Sequence, residues 1–187
     1  VKLPSFSNLL CNISNIYKNN SYELLSCNFL SFNKSLLIKK YHDTSKLQEL
    51  NYSFFVGKQI NKLLNICSNF CTTITCLHLD SSNITSNNSQ PNNTIILENI
   101  SGTLFSEWLK SKNFNFKDYY DIILQLSLSL FLAYEHFGFI HNDMFPWNII
   151  LVSYSTTQII HYYYLGKMFT VKTKIKPVII DFGKANI

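Results

Sequence analysis

Two short polar segments, each joined to an apolar strand pattern, place the strongest constraint on the fold of this 187-residue chain. The first, HNDMFPWNII, carries His141, Asp143 and Asn148, and a strand pattern begins at its end. The second, PVIIDFGK, carries Asp181 directly after another apolar strand pattern. A long helical pattern precedes His141. The sequence therefore predicts an α+β fold in which two carboxylates and an amide stand at strand ends.

These residue types suit phosphoryl transfer, in which the protein mainly positions metal ions and a nucleophile against a polyphosphate. In the pattern H-x-D-x-x-x-x-N, the Asp accepts the proton of the attacking hydroxyl and the Asn binds magnesium. Asp143 and Asn148 have this spacing, and Asp181 begins a D-F-G that supplies a second magnesium ligand. Each motif alone is weak evidence in an Asn-rich chain. Together, in the expected strand and helix context, they predict Asp143, Asn148 and Asp181 as catalytic residues, with Asn148 and Asp181 as metal ligands.

With these motifs, the chain resembles the eukaryotic-type protein kinase superfamily, and HNDMFPWNII with VIIDFGKA is most similar to divergent kinase domains of large DNA viruses. The resemblance implies a two-lobe α+β kinase fold. Residues 1–98 would form a complete β-rich N-terminal lobe, and residues 99–187 the hinge and first part of the helical C-terminal lobe. Because the chain ends four residues after Gly183, we expect that second lobe to be truncated and the chain to be a piece of a longer product.

The resemblance also implies ATP and Mg²⁺ as cofactors and a protein as substrate. An apolar strand ends in two lysines and resembles the strand whose Lys reaches the α- and β-phosphates. Lys39 is the first choice for that role, with Lys40 as the alternative. Glu49 is the candidate for the helix Glu that pairs with this Lys, although it lies nearer in sequence than is usual. The backbone of Glu98 and Ile100 is expected to bind adenine at the hinge.

Three departures from the kinase pattern leave the activity open. Tyr17–Glu23, the expected phosphate loop, has asparagines in place of glycines. Asn142 stands where the family has an Arg that binds a phosphorylated activation segment. Phe145 stands where Ser/Thr kinases have a Lys near the γ-phosphate, and loss of that cation costs on the order of several kcal/mol if nothing replaces it.

The prediction is a divergent ATP-dependent protein kinase for Ser/Thr hydroxyls. A pseudokinase or interaction module is the main alternative. A small-molecule kinase of the aminoglycoside or choline type shares the first motif. Phe182 and Gly183 argue against that third class, because its later metal motif usually lacks them.

Local signals predict further elements. Asn115 is expected to cap a helix over Phe116–Phe137, with Gly138 as its C-terminal stop. This helix is apolar on more than one face, which indicates a buried helix rather than a membrane span. A polar surface loop is expected at residues 80–93 and an extended hairpin over residues 158–173.

Composition limits the partners. The net charge is +5 and the pI about 8.9, but the lysines are scattered, so nucleic acid is not an expected partner. Five cysteines lack paired C-x-x-C spacing and indicate a reduced, intracellular compartment. For a viral protein this would be the cytoplasm of the host cell or the virion. No membrane association is expected, and the oligomeric state is not predicted.

Overall fold

The computed structural model describes residues 10–20, 22–29, 34–41, 46–79 and 92–187, with α and β structure throughout. The chain divides into two compact units, one of residues 1–54 and 73–99, and the other of residues 55–72 and 100–187. Residues 55–72 thus group with the second unit, although the sequence analysis assigned them to the N-terminal lobe. The physical reason is packing, since Val56, Ile60 and Leu63 are buried in the hydrophobic core of the second unit.

The first unit is built on a five-stranded antiparallel sheet with strand order β1-β2-β3-β5-β4. Its strands are β1 (Leu10–Lys18), β2 (Tyr22–Phe29), β3 (Lys34–Tyr41), β4 (Thr73–Leu79) and β5 (Asn92–Glu98). The predicted lysine-ending strand is β3. Residues 80–91 of the predicted polar loop lie outside the described residues, and the loop's last two predicted positions, 92 and 93, belong to β5.

Side chains that alternate along β3 give this sheet two apolar faces. On one face, Tyr41 packs with Ile95 and with Leu50 of helix α1 (Leu47–Ile60). The other face has its own buried cluster, made of Cys27, Leu36, Ile38 and Ile96. Consecutive residues of β3 therefore face opposite environments, a distinction that bears on the two candidate lysines.

The second unit contains helix α3 (Phe116–Phe137), whose predicted bounds are confirmed. Asn115 accepts a hydrogen bond at 2.9 Å from the backbone N–H of Asp118, as an N-cap does. Gly138 ends the helix with φ of 64°, a left-handed conformation that glycine adopts without a Cβ clash. The short helix α2 (Phe105–Trp108) precedes α3, and single 3₁₀ turns occur at Asn61–Leu63, Pro146–Asn148 and Phe182–Lys184.

Helix α3 buries one face in the core of the second unit, while Leu124, Phe131 and Tyr134 are exposed. Gln125 is fully buried and donates hydrogen bonds to the carbonyls of Asp121 and Ile175, at 3.2 and 2.9 Å. Ser129 donates to the Gln125 carbonyl at 2.7 Å, so these buried polar groups are paired within protein. Across the described ranges, no helix is long and apolar enough to span a membrane.

A long hairpin forms a second sheet with strand order β6-β7-β8. The strands are β6 (Thr103–Leu104), β7 (Ile149–Tyr164) and β8 (Lys167–Ile179). The predicted hairpin is present but much longer than 158–173, because the short strands expected beside each motif join it. The pairing of β7 with β8 has an irregularity between Ser153 and Gln158 and resumes after it, so both strands stay in one sheet along their length. The hairpin thereby connects the end of the first polar motif directly to the start of the second.

Candidate active site

His141 connects the first polar motif to the second by a hydrogen bond. It is 2% exposed, and its Nε2 lies 3.0 Å from the Ile180 carbonyl. The backbone N–H of Asp143 donates to the His141 Nδ1 at 3.3 Å. One ring nitrogen thus accepts and the other donates, which is the pattern of a neutral imidazole. Burial lowers the pKa of His141 below its ordinary 6.5, opposed by the Ile180 hydrogen bond.

Asp143 and Asn148 are joined to each other. The Asn148 side chain lies 2.9 Å from the Asp143 carbonyl oxygen and 3.2 Å from Asp143 Oδ2. Both partners are acceptors, so the Asn148 atom that contacts them must be the amide nitrogen Nδ2. Its Oδ1 is consequently the atom that is not engaged with Asp143. Asn148 itself is 6% exposed and ends the 3₁₀ turn directly before β7, which fixes the position of this amide.

Asp181 is placed by backbone pairing and by an uncommon backbone conformation. The Ile180 N–H donates to the Asn148 carbonyl at 3.0 Å, so the residues before Asp181 lie beside the end of the first motif. Asp181 has φ of 61° and ψ of 82°, and its Oδ1 accepts from the Gly183 N–H at 3.4 Å. A non-glycine residue with positive φ is strained, and such residues concentrate at functional sites.

The residue after Asp181 points into the core. Phe182 is 3% exposed and contacts the rings of Phe70, Phe139 and His141, with centroid distances of 6.5, 6.1 and 6.2 Å. The edge-on and tilted ring geometries are those that aromatic quadrupoles favour. Asp181 is exposed while its neighbour is buried, so this cluster anchors the turn that presents the carboxylate. The sequence analysis missed Phe70 and Phe139, because no local signal ties two apolar positions to a distant motif.

A cation also lies at this site, and the sequence analysis did not assign it a role. Lys184 Nζ is 3.2 Å from Asp143 Oδ1. The Asn142 side chain donates to the Lys184 carbonyl at 3.1 Å, and Asn142 has a positive φ of 58°. Ile140 and Asn186 exchange two backbone hydrogen bonds, at 2.9 and 2.7 Å. The segment after the second motif is therefore held along the first.

The oxygens of Asn148 and Asp181 suit magnesium, which prefers hard oxygen ligands. Within the described ranges, no group of three or more His, Cys, Asp or Glu side chains forms a metal site. Magnesium does not require such a cage, because it keeps waters and takes phosphate oxygens from its substrate. An amide oxygen and an exposed carboxylate on two hydrogen-bonded segments fit this way of binding.

The predicted nucleotide-contacting residues Lys39 and Glu49 belong to the first unit. Lys39 Nζ lies 5.0 Å from the ring centroid of Tyr22 and 5.4 Å from that of Tyr41. It shares the β3 face that packs on α1. Lys40, the alternative, lies on the opposite face of β3 and forms an ion pair of 3.3 Å with Glu23. Glu49 pairs at 2.8 Å with Lys46, the residue directly before α1, so its predicted pairing with Lys39 stays a prediction.

The predicted hinge residues lie at the end of β5. Glu98 is the last residue of that strand, and the division between the two units falls between Asn99 and Ile100. The Asn99 side chain donates to the hydroxyls of Ser26 and Ser35, at 3.0 and 2.8 Å. These bonds tie the end of β5 to β2 and β3. The adenine contacts expected of Glu98 and Ile100 remain predictions.

In the β1–β2 connection, the expected phosphate loop, Asn19 forms two hydrogen bonds with Tyr22. The Asn19 N–H donates to the Tyr22 carbonyl at 3.0 Å, and Tyr22 N–H donates back to Asn19 Oδ1 at 2.8 Å. Asparagine thus closes the turn with its own side chain, as it commonly does. The consequence is a hairpin whose backbone conformation does not depend on glycine.

Comparison with known proteins supports the kinase resemblance. Protein 179R of Invertebrate iridescent virus 6 is 31% identical over 167 residues, which are 84% of this chain. A protein named "Probable kinase 098L", from Invertebrate iridescent virus 3, is 30% identical over 158 residues, or 83% of the chain. The chain spans only 14% and 28% of the length of these two relatives. No protein-family model matches the chain.

The fold is that of a kinase domain. The solved kinase domain of PF14_0431 superimposes with a TM-score of 0.67 over 96% of this chain, at 16% sequence identity. This chain accounts for 52% of that domain. The kinase-like α+β fold and the resemblance to viral kinases, both predicted from the motifs, are thereby confirmed. These comparisons concern the fold and the relatives of the chain, whereas the roles of the site residues depend on their own chemistry.

Proposed function

We propose that this chain, which has a kinase fold and a relative named as a probable kinase, carries the phosphotransfer site of a divergent ATP-dependent protein kinase acting on Ser or Thr hydroxyls. The observation that carries the proposal is the hydrogen-bonded group of Asp143, Asn148 and His141, joined to the strand end before Asp181. The two compact units are proposed to correspond to the small lobe and the front of the large lobe.

Asp143 is the proposed base. The acceptor hydroxyl oxygen forms a bond to the γ-phosphorus while the bond from that phosphorus to the bridging β–γ oxygen breaks and ADP leaves. The hydroxyl proton passes to the Asp143 carboxylate, so the products are a phosphorylated hydroxyl, ADP and one proton. Asn148 holds the Asp143 carboxylate through Oδ2, and His141 holds its backbone, which keeps the carboxylate in one orientation.

Asn148 and Asp181 are the proposed magnesium ligands, through an amide oxygen and a carboxylate. Bound magnesium would neutralise charge on the phosphate oxygens. The positive φ of Asp181 supports this role, because it keeps the carboxylate exposed while Phe182 is buried. Lys39 is proposed to bind the α- and β-phosphates, and the backbone of Glu98 and Ile100 to bind adenine.

The proposal is tested with the product of the complete reading frame, incubated with Mg-ATP labelled at the γ-phosphate and with casein as acceptor. We expect label transfer, and a fall of at least about 10³-fold for Asp143→Asn, since a general base contributes roughly 10²–10⁴-fold. Binding of Mg-ATP should change less than about threefold. Asp121→Asn is the matched control, because that carboxylate pairs with Lys117 on α3 and is expected to leave transfer unchanged.

A kinase-fold binding module is the second candidate, favoured by the β1–β2 turn that Asn19 closes without glycine. It predicts a thermal midpoint that Mg-ATP leaves unchanged, and no label transfer. Equal transfer by the wild type and Asp143→Asn would contradict the assignment of the base. A rise in the midpoint with Mg-ATP would contradict a module without a nucleotide site.

A further inference from the structure

Phosphoryl transfer needs positive charge near the transferred group, because the γ-phosphoryl oxygens remain anionic throughout the reaction. The loop from His141 to Ile150 contains neither Lys nor Arg, and this chain has no Arg at any position. A cation for the phosphoryl group must therefore come from a lysine elsewhere in the chain, from bound metal or from another part of the protein. Lys184 is the lysine that the structure brings to Asp143.

We propose that Lys184 is the phosphoryl-binding cation of this site, an inference that rests on the proposed kinase function. Its ammonium group lies 3.2 Å from Asp143 Oδ1. When an acceptor hydroxyl is hydrogen-bonded to the Asp143 carboxylate, the γ-phosphoryl group that it attacks is therefore within reach of the same lysine. The Lys184 side chain is 67% exposed and that of Asp143 is 18% exposed. The lysine is thus accessible to an incoming anion and can exchange one carboxylate contact for phosphate oxygens.

The backbone of Lys184 is held on two sides, which distinguishes it from a mobile surface lysine. On one side, the Asn142 amide donates to the Lys184 carbonyl at 3.1 Å. On the other, Ile140 and Asn186 pair through two backbone hydrogen bonds. Phe182, which opens the same turn, is buried in the aromatic cluster. Asn142 is therefore a positioning residue for Lys184, and it makes this hydrogen bond from a backbone with positive φ.

The chemistry of the step is unchanged by this assignment. The acceptor proton goes to Asp143, the β–γ bridging bond breaks, and Lys184 keeps its protons while it neutralises the phosphoryl oxygens. The ion pair also explains how Asp143 and a triphosphate can share one site. Without a cation, the carboxylates of Asp143 and Asp181 would oppose an anionic substrate.

The first test measures nucleotide binding by calorimetry with the product of the complete reading frame, using Mg-ADP and the Mg complex of the β,γ-imido analogue of ATP. A lysine that contacts the γ-phosphoryl group makes the analogue bind more tightly than ADP. Lys184→Met should reduce that preference at least about tenfold while the ADP affinity stays within about threefold. Lys184→Arg should keep most of the preference, because it keeps the charge.

The second test moves the cation within the site. Phe145 lies beside Asp143, since the Phe145 N–H donates to the Asp143 carbonyl at 2.8 Å, and Phe145 is 49% exposed. Lys184→Met should lower label transfer on the order of 10²-fold. The double variant Phe145→Lys with Lys184→Met should recover at least about tenfold of that loss. Recovery by a lysine at another position would show that charge, rather than the fold of the turn, was missing.

A third variant tests the positioning residue. Asn142→Gly removes the amide but tolerates the positive φ, so the backbone is preserved. It should weaken the analogue preference in the same direction as Lys184→Met and to a smaller extent. A purely structural role would change the thermal midpoint and leave the preference intact.

The outcomes separate this inference from the proposed function. If the wild type shows the preference through Lys184 but transfers no label, the inference stands and the kinase activity fails. If the wild type transfers label while Lys184→Met matches it in both tests, the kinase activity stands and the inference fails. Faster transfer by Lys184→Met would also overturn the inference, because it would show that the ion pair restrains Asp143.

Discussion

The second unit holds site residues through hydrogen bonds of two buried side chains, whereas the first unit holds its candidate residues through contacts at the surface of a sheet and a helix. His141 and Asn148 are 2% and 6% exposed, and their side chains bond to Ile180 and Asp143. Glu49, by contrast, pairs with Lys46, and these two side chains are 37% and 44% exposed. Buried bonds are costly to break, while exposed ion pairs contribute little.

The comparison indicates where the proposed chemistry is built into the fold. The proposed base and the proposed metal ligands sit on hydrogen-bonded turns of the second unit, which suits groups that must hold one geometry. Lys39, the candidate phosphate-binding residue, sits on β3, and the register of that strand sets the direction of its side chain. Its ammonium group lies over the rings of Tyr22 and Tyr41. Substitution of the buried His141 should therefore affect mainly stability, whereas substitution of Lys39 should affect mainly nucleotide affinity.

The largest effect on stability is expected for His141→Ala. The change removes the partners of the Ile180 carbonyl and the Asp143 N–H and leaves a cavity beside Phe139 and Phe182. Unsatisfied buried groups and the cavity together should lower the free energy of unfolding by about 2–4 kcal/mol. Urea denaturation of the product of the complete reading frame, followed by tryptophan fluorescence, measures this change.

His161→Ala is the matched control, because His161 is an exposed histidine of β7, and its change should be below about 0.5 kcal/mol. The pH dependence of the free energy of unfolding gives an independent check on His141. Burial lowers the pKa of His141 in the folded state. Below about pH 6.5 the unfolded state therefore takes up a proton that the folded state does not, and the folded state loses stability. The loss should grow from about pH 7 to pH 5.5 and shrink in the variant. Equal slopes would contradict a buried neutral His141.

Local signals in the sequence were sufficient for some parts of the structure and insufficient for others. The bounds of α3 follow from Asn115 and Gly138, because a cap and a stop act within one turn. The ion pair between Lys184 and Asp143 joins residues 41 positions apart, and no local pattern encodes it. The length of the β7–β8 hairpin was underestimated for a related reason, since pairing resumes after an irregularity that the sequence does not mark.

Lys39 and Lys40 are expected to differ in their effect on nucleotide affinity. Lys39 lies on the β3 face that packs on α1, whereas Lys40 is paired with Glu23 on the other face. Lys39→Met should raise the Kd for Mg-ATP at least about tenfold, equivalent to about 1.4 kcal/mol, and Lys40→Met less than about threefold. Calorimetric titration of both variants measures this, and the thermal midpoint verifies that each one folds. A larger effect at Lys40 would assign phosphate binding to the opposite face of the sheet.

The smallest effect is expected for Glu49→Gln. Its described partner is Lys46, directly before α1, and an exposed pair of this kind contributes less than about 0.5 kcal/mol to stability. The thermal midpoint should therefore barely change, and Glu107→Gln, an exposed glutamate of α2, provides the control. Label transfer is the sharper measurement. If Glu49 pairs with Lys39 during catalysis, label transfer falls by tenfold or more without loss of stability. The first unit would then, like the second, hold a site residue through a specific side-chain partner. If transfer is unchanged, Lys39 does not depend on this carboxylate, and the rings of Tyr22 and Tyr41 are among the contacts that hold its ammonium group.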